Sequence, residues 1–106
     1  MLRIYVVILE VLKMLKPLID KIRRHDGNLA DQLGRASTSV ALNTSEGFYS
    51  RGKNVKARFN DALASAGESR SCVEVAARLE YIPPLDPVLA KKLDHVIATL
   101  FKLAKR

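Results

Sequence analysis

Four polar side chains stand among small and apolar residues in the middle of the chain: Asn43, Glu46, Glu68 and Arg70. At helical spacing Asn43 shares a stripe with Leu33, Ala36, Val40 and Gly47, and Glu46 follows one turn on. Glu68 lies beside a stripe through Ala64 and Cys72, and Arg70 falls on one through Ala66 and Val73. A carboxylate inside a bundle is costly unless a cation or several donors meet it. Arg35 and Arg70 are the candidate partners. Such a cluster can serve as a polar binding site, or as a structural network that fixes helix register. The second is favoured. The pattern predicts that Asn43 and Glu46 are buried and bonded to the third helix or to a backbone end.

A second cluster is basic. Arg51, Lys53, Lys56 and Arg58 follow one another with no acid between 51 and 60, and Tyr49 stands beside them. Cations in this density suit phosphate contacts. A solvated helix start is the plainer explanation. Yet positive charge is unfavourable at a helix N-terminus, and the chain accepts that penalty repeatedly.

Other chemistries are poorly supplied. His25 and His95 lie far apart in charged settings, and Cys72 sits on an apolar stripe as a small core residue. There is no Gly-rich phosphate loop, no nucleophile elbow and no metal-ligand spacing. The expectation is a non-enzymatic protein with no catalytic residue, no cofactor and no metal. An acid–base pair of Glu46 and Glu68 is the minority alternative.

The elements that must position these residues are helices. Ile4, Ile8, Val11, Leu15, Ile19 and Ile22 mark the first, over about 3–25, with a kink expected at Pro17. Asp26 and Gly27 end it, and Asn28 caps a second over about 29–51. Its Arg35–Gly47 portion is rich in Ala, Ser and Thr, so a partner can approach closely. Gly47 costs helix stability and therefore points to tight packing. Asn54 opens a third helix over about 55–81. Its two apolar stripes run through Phe59, Leu63, Ala66, Val73 and Ala77, and through Ala64, Cys72, Val75 and Leu79. Pro83 and Pro84 break the chain. Asp86 and Pro87 then start a fourth helix over about 87–105. Short connections between four helices predict an all-α, antiparallel up-down four-helix bundle in one domain, 1–106. A third helix apolar on two sides needs a second cover, which predicts a homo-oligomer.

Composition agrees with a small basic domain. The chain has 106 residues, a net charge of +7 and one cysteine. A single cysteine excludes an internal disulfide and suits a reducing compartment. Glu10 and Lys13 interrupt the apolar N-terminal run, which reads as neither a signal peptide nor a membrane span. A cytoplasmic protein with an acidic partner, and no membrane, is expected.

The run QLGRASTSVALNTSEGFYSRGKN, then a Phe and ALASAGES, resembles the bacterial four-helix-bundle proteins related to the 23S rRNA intervening-sequence protein. Gln32, Leu33, Arg35, Ala36, Ser39, Val40, Asn43, Glu46 and Gly47 match that pattern, followed by Phe59, Ala62, Ser65 and Glu68. The chain departs from it at Gly34, where an arginine is usual, and at Thr44 and Ser45, which replace an apolar pair. It departs again at Ala64 and Glu80, which replace glycines, and the first helix lacks the tryptophan many members carry. The resemblance implies a bundle assembled as a ring-like homopentamer. It also adds Arg35 to the candidate nucleic-acid surface. A related branch, the accessory proteins of diversity-generating retroelements, is thought to bind nucleic acid and a reverse transcriptase. Charge, basic corner and resemblance together predict an assembly that binds RNA or DNA, rRNA among the possible partners. The alternative is a protein-interaction scaffold for a nucleic-acid enzyme such as a reverse transcriptase.

Overall fold

The computed structural model describes residues 3–50, 52 and 54–105. Its elements are four helices: α1 (Arg3–Arg23), α2 (Gly27–Tyr49), α3 (Asn54–Arg78) and α4 (Pro87–Lys105). α1 packs on α2, α2 on α3 and α3 on α4, α4 returns against α1, and the connections are short, so the bundle is antiparallel and up-down.

In α1 the i, i+3, i+4 spacing buries Ile4, Ile8, Val11, Leu15 and Ile22. Side chains of this size stabilise the fold by about 1.5–3 kcal/mol each when fully buried. The helix runs as one element through Pro17, which lies on its exposed side. The carbonyl that Pro17 leaves without a helical partner belongs to exposed Lys13, where water can reach it.

The start of α2 differs from the sequence expectation. The cap is Asp26, not Asn28. Asp26 is extended, and its carboxylate accepts a 3.0 Å bond from the Leu29 N–H. The Asp26 N–H itself closes α1 by donating to the Ile22 carbonyl. One aspartate thus ends one helix and starts the next, and two residues expected in the turn become helical.

The end of α3 also falls earlier than residue 81. The Tyr81 N–H donates to the Ala76 carbonyl and the Glu80 N–H to that of Ala77, the paired bonds of a Schellman stop. The turn puts Glu80 at φ 62°, in the left-handed region that glycine favours. At the head of α4 the expected cap is present: Asp86 Oδ1 accepts from the Val88 N–H at 2.7 Å, with Pro87 first in the helix.

The α2–α3 interface is the most extensive of the four. The residues that α2 and α3 bury along their lengths are mostly small: Ala36, Ser37, Ala41, Thr44 and Gly47 on α2, and Ala62, Ala66, Ser69, Cys72 and Ala76 on α3. Small side chains let the two backbones approach closely. At its lower end the Phe59 ring lies over Gly47, where a Cβ would come within 2.7 Å of it. Phe48 meets the same ring edge-on at 5.0 Å. Of the two apolar stripes on α3, this chain covers one. Cys72 is buried, but Ala64, Val75 and Leu79 are exposed.

Candidate nucleic-acid interface

The sequence-predicted cluster of Asn43, Glu46, Glu68 and Arg70 does not assemble. Asn43 is half-buried, and its amide donates to the Ser39 carbonyl at 3.1 Å and the Ser39 hydroxyl at 2.9 Å. The Ser65 hydroxyl donates to the same Ser39 oxygen at 2.9 Å, linking α3 to α2. Glu46 is not buried within the chain: its side chain is 54% exposed, paired with Arg58 Nε of α3 at 3.1 Å. The expected bond to the third helix exists, but in solvent. Glu68 is exposed as well. Arg70 turns the other way, donating to Asp94 of α4 and lying 3.9 Å from Glu74.

The reason is a small rotation of α2 relative to its sequence pattern. The buried face is centred on Ser37, Val40, Ala41 and Thr44, which leaves Asn43 at the border and Glu46 outside. Ser37 can enter the core because its hydroxyl donates to the Leu33 carbonyl of its own helix at 2.8 Å. Thr44 is fully buried with no partner for its hydroxyl among the described residues. It stands where the resembling proteins carry an apolar residue.

The residues that carry the resemblance do meet, in a different arrangement. Ser39 pairs with Ser65, Gly47 receives Phe59, and Asn43 buttresses Ser39. Their role in this chain is to hold α2 against α3. Beside them, burial pushes the Cys72 thiol up from 9.0, and the charge of Glu68 adds to the shift. The thiol stays protonated at neutral pH. Because its folded value exceeds the unfolded one, it costs stability only as pH rises above about 9.

The basic corner fares differently. Arg51 and Lys53 lie outside the described residues. Lys56 is exposed, and Arg58 is half-neutralised by Glu46. Arg35 is exposed but stands fourteen residues before Tyr49 on α2, about 21 Å along the axis at 1.5 Å per residue. It does not join the corner.

Other cations do. Up-down topology brings the start of α1 and the end of α4 to the α2–α3 turn. Exposed Arg3, Lys102 and Lys105 therefore share this end with Lys56 and Arg58. Within four residues of the helix ends these five cations face one carboxylate, Glu46. By the same measure Lys21, Arg23, Arg24, Arg78 and Lys91 stand at the opposite end with Asp20, Asp26, Asp31, Glu74, Glu80 and Asp86. The bundle is electrically polar. Sequence reading missed the α1 and α4 contributions, although up-down topology with antiparallel neighbours would have supplied them.

Among the described residues, no group of three or more His, Cys, Asp or Glu could hold a metal ion. No helix among them is long and apolar enough to cross a membrane. The fold and this end together define a small-residue-seamed four-helix bundle with one cationic pole. The chain belongs to the 23S rRNA-intervening sequence protein family, which it matches over residues 5–102. No curated protein and no solved structure matches it.

Proposed function

We propose that this chain is a non-enzymatic bundle protein that binds nucleic acid through its cationic pole. The observation that carries this is the imbalance of five cations to one carboxylate at one end, against five to six at the other. Arg3 and Lys56 stand in the first turns of α1 and α3, where positive charge is unfavourable. The charge is therefore kept at a cost to helix stability, which a phosphate partner would offset. The family description, naming a 23S rRNA intervening sequence, agrees with an RNA as that partner. Titration of a labelled RNA at several salt concentrations tests it. Binding that weakens linearly in log salt is expected; no binding at low salt would refute it.

The protein acts as a homo-oligomer in the same proposal, with Val75 at 46% and Leu79 at 52% exposure as the apolar contact on α3. Five copies is the number the family resemblance implies. Light scattering at micromolar concentration decides between an assembly and a monomer. The same two residues support a second reading, in which α3 docks a protein partner such as a polymerase. A partner retained from nuclease-treated lysate by the wild type, and not by Val75→Asp, would favour it.

A further inference from the structure

The cationic pole is also where the aromatic residues gather. The chain has three Tyr, three Phe and no Trp. Five of those six rings, Tyr5, Phe48, Tyr49, Phe59 and Phe101, belong to the helix ends that form this pole. Phe59 is buried and Phe48 packs on it, so these two serve the fold. Tyr49 and Phe101 do not. Tyr49 is 75% exposed at the last position of α2, and Phe101 is 52% exposed one turn before the end of α4. Lys105 holds its ammonium 5.0 Å from the Phe101 ring centre. Two large rings thus stand in solvent among cations from three helices, each at a cost in exposed apolar area.

We infer that the pole binds single-stranded nucleic acid, with Tyr49 and Phe101 as stacking platforms for unpaired bases. This rests on the nucleic-acid reading above and narrows it. Phosphates alone would need only Arg3, Lys56, Lys102 and Lys105. In a duplex the bases are stacked on one another and offer no free face to a ring. In a single strand each base presents a face, and cation-flanked aromatics are the usual way to use it. Lys105 places a phosphate-seeking charge over one face of the Phe101 ring, so a base would stack on the other. The opposite pole is the internal contrast. Its rings, His25 and Tyr81, are stacked on each other at 4.9 Å and 4°, and its six carboxylates balance its five cations.

The test compares a labelled 15-nucleotide single-stranded RNA with a duplex of the same sequence by fluorescence anisotropy at low salt. Wild type is expected to prefer the single strand. Tyr49→Ala and Phe101→Ala should each weaken single-strand binding roughly 5- to 100-fold and leave duplex binding within about twofold. Tyr49→Phe should restore binding, since it keeps the ring. Both rings are exposed, so the variants should melt as the wild type does. Duplex binding equal to single-strand binding, with no effect of either ring variant, would overturn the inference. If Lys102→Ala and Lys105→Ala still weakened both probes, the electrostatic reading would survive. No binding of either probe would remove both.

Discussion

The two poles of this bundle are closed by different physics. At the acid-rich pole, local stereochemistry does the work. Asp26 and Asp86 cap α2 and α4, Glu80 turns left-handed to stop α3, and His25 stacks on Tyr81. At the cationic pole, packing does it. Phe59 fills the notch left by Gly47, Phe48 braces the ring, and the surrounding positive charge is compensated only at the Glu46–Arg58 pair. A pole closed by caps and turns can use its charges on its own backbone. A pole closed by a buried ring leaves its charges free for something else.

Emptying the notch should have the largest effect. Phe59→Ala should destabilise the fold by about 3–5 kcal/mol, read by chemical denaturation. Filling the notch from the other side should also hurt. Gly47→Ala gains about 1 kcal/mol of helix propensity but overpacks the seam at about 1–3 kcal/mol, for a net loss of about 0–2. Gly34, on the same helix, has nothing within 4 Å of a built Cβ. Gly34→Ala should therefore stabilise, by up to about 1 kcal/mol. If both glycine variants shifted the melting temperature in the same direction, the notch would not be the cause.

At the other pole the expected sign is reversed. Glu80→Gly should raise stability by about 1 kcal/mol, because it relieves a left-handed residue with a Cβ. A decrease on that substitution would mean the Glu80 side chain supports the turn. The smallest effect concerns Glu46. Its pair with Arg58 is solvent-exposed, so Glu46→Ala should cost only about 0.2–1 kcal/mol. Lys56→Ala should fall within about 0.5 kcal/mol of wild type. The penalty of about 3–5 kcal/mol that a buried Glu46 would have implied is not expected.

Glu46 also shows where the sequence was legible and where it was not. The helices α1 and α4 were readable because large aliphatics recur on one face and polar residues fill the other. The Asp86–Pro87 start was readable because only a helix N-terminus suits both residues. Gly47 was readable as a close approach, though its partner Phe59 was not. The orientation of α2 was harder, because Ala, Ser and Thr occur on every side of it and the apolar stripe has no sharp edge. A small rotation then exchanged Asn43 for Thr44 in the core, and Glu46 went to solvent. The candidate surface was half legible. The run from 51 to 58 is local in sequence, whereas Arg3, Lys102 and Lys105 join it only through topology. Glu80 was noted as a substituted glycine, and its φ gives that substitution a physical cost.

If binding resides at one pole, it should not follow net charge at large. Removing two cations from either pole changes the net charge equally. The slope of log K against log salt for a single-stranded RNA, measured for Lys102→Ala/Lys105→Ala and for Lys21→Ala/Arg24→Ala, separates these possibilities. The first pair should make the slope shallower by about 1.4, roughly 0.7 for each phosphate no longer neutralised on a single strand. The second pair should leave it near wild type. Equal slopes for the two double variants would contradict a binding site confined to the cationic pole.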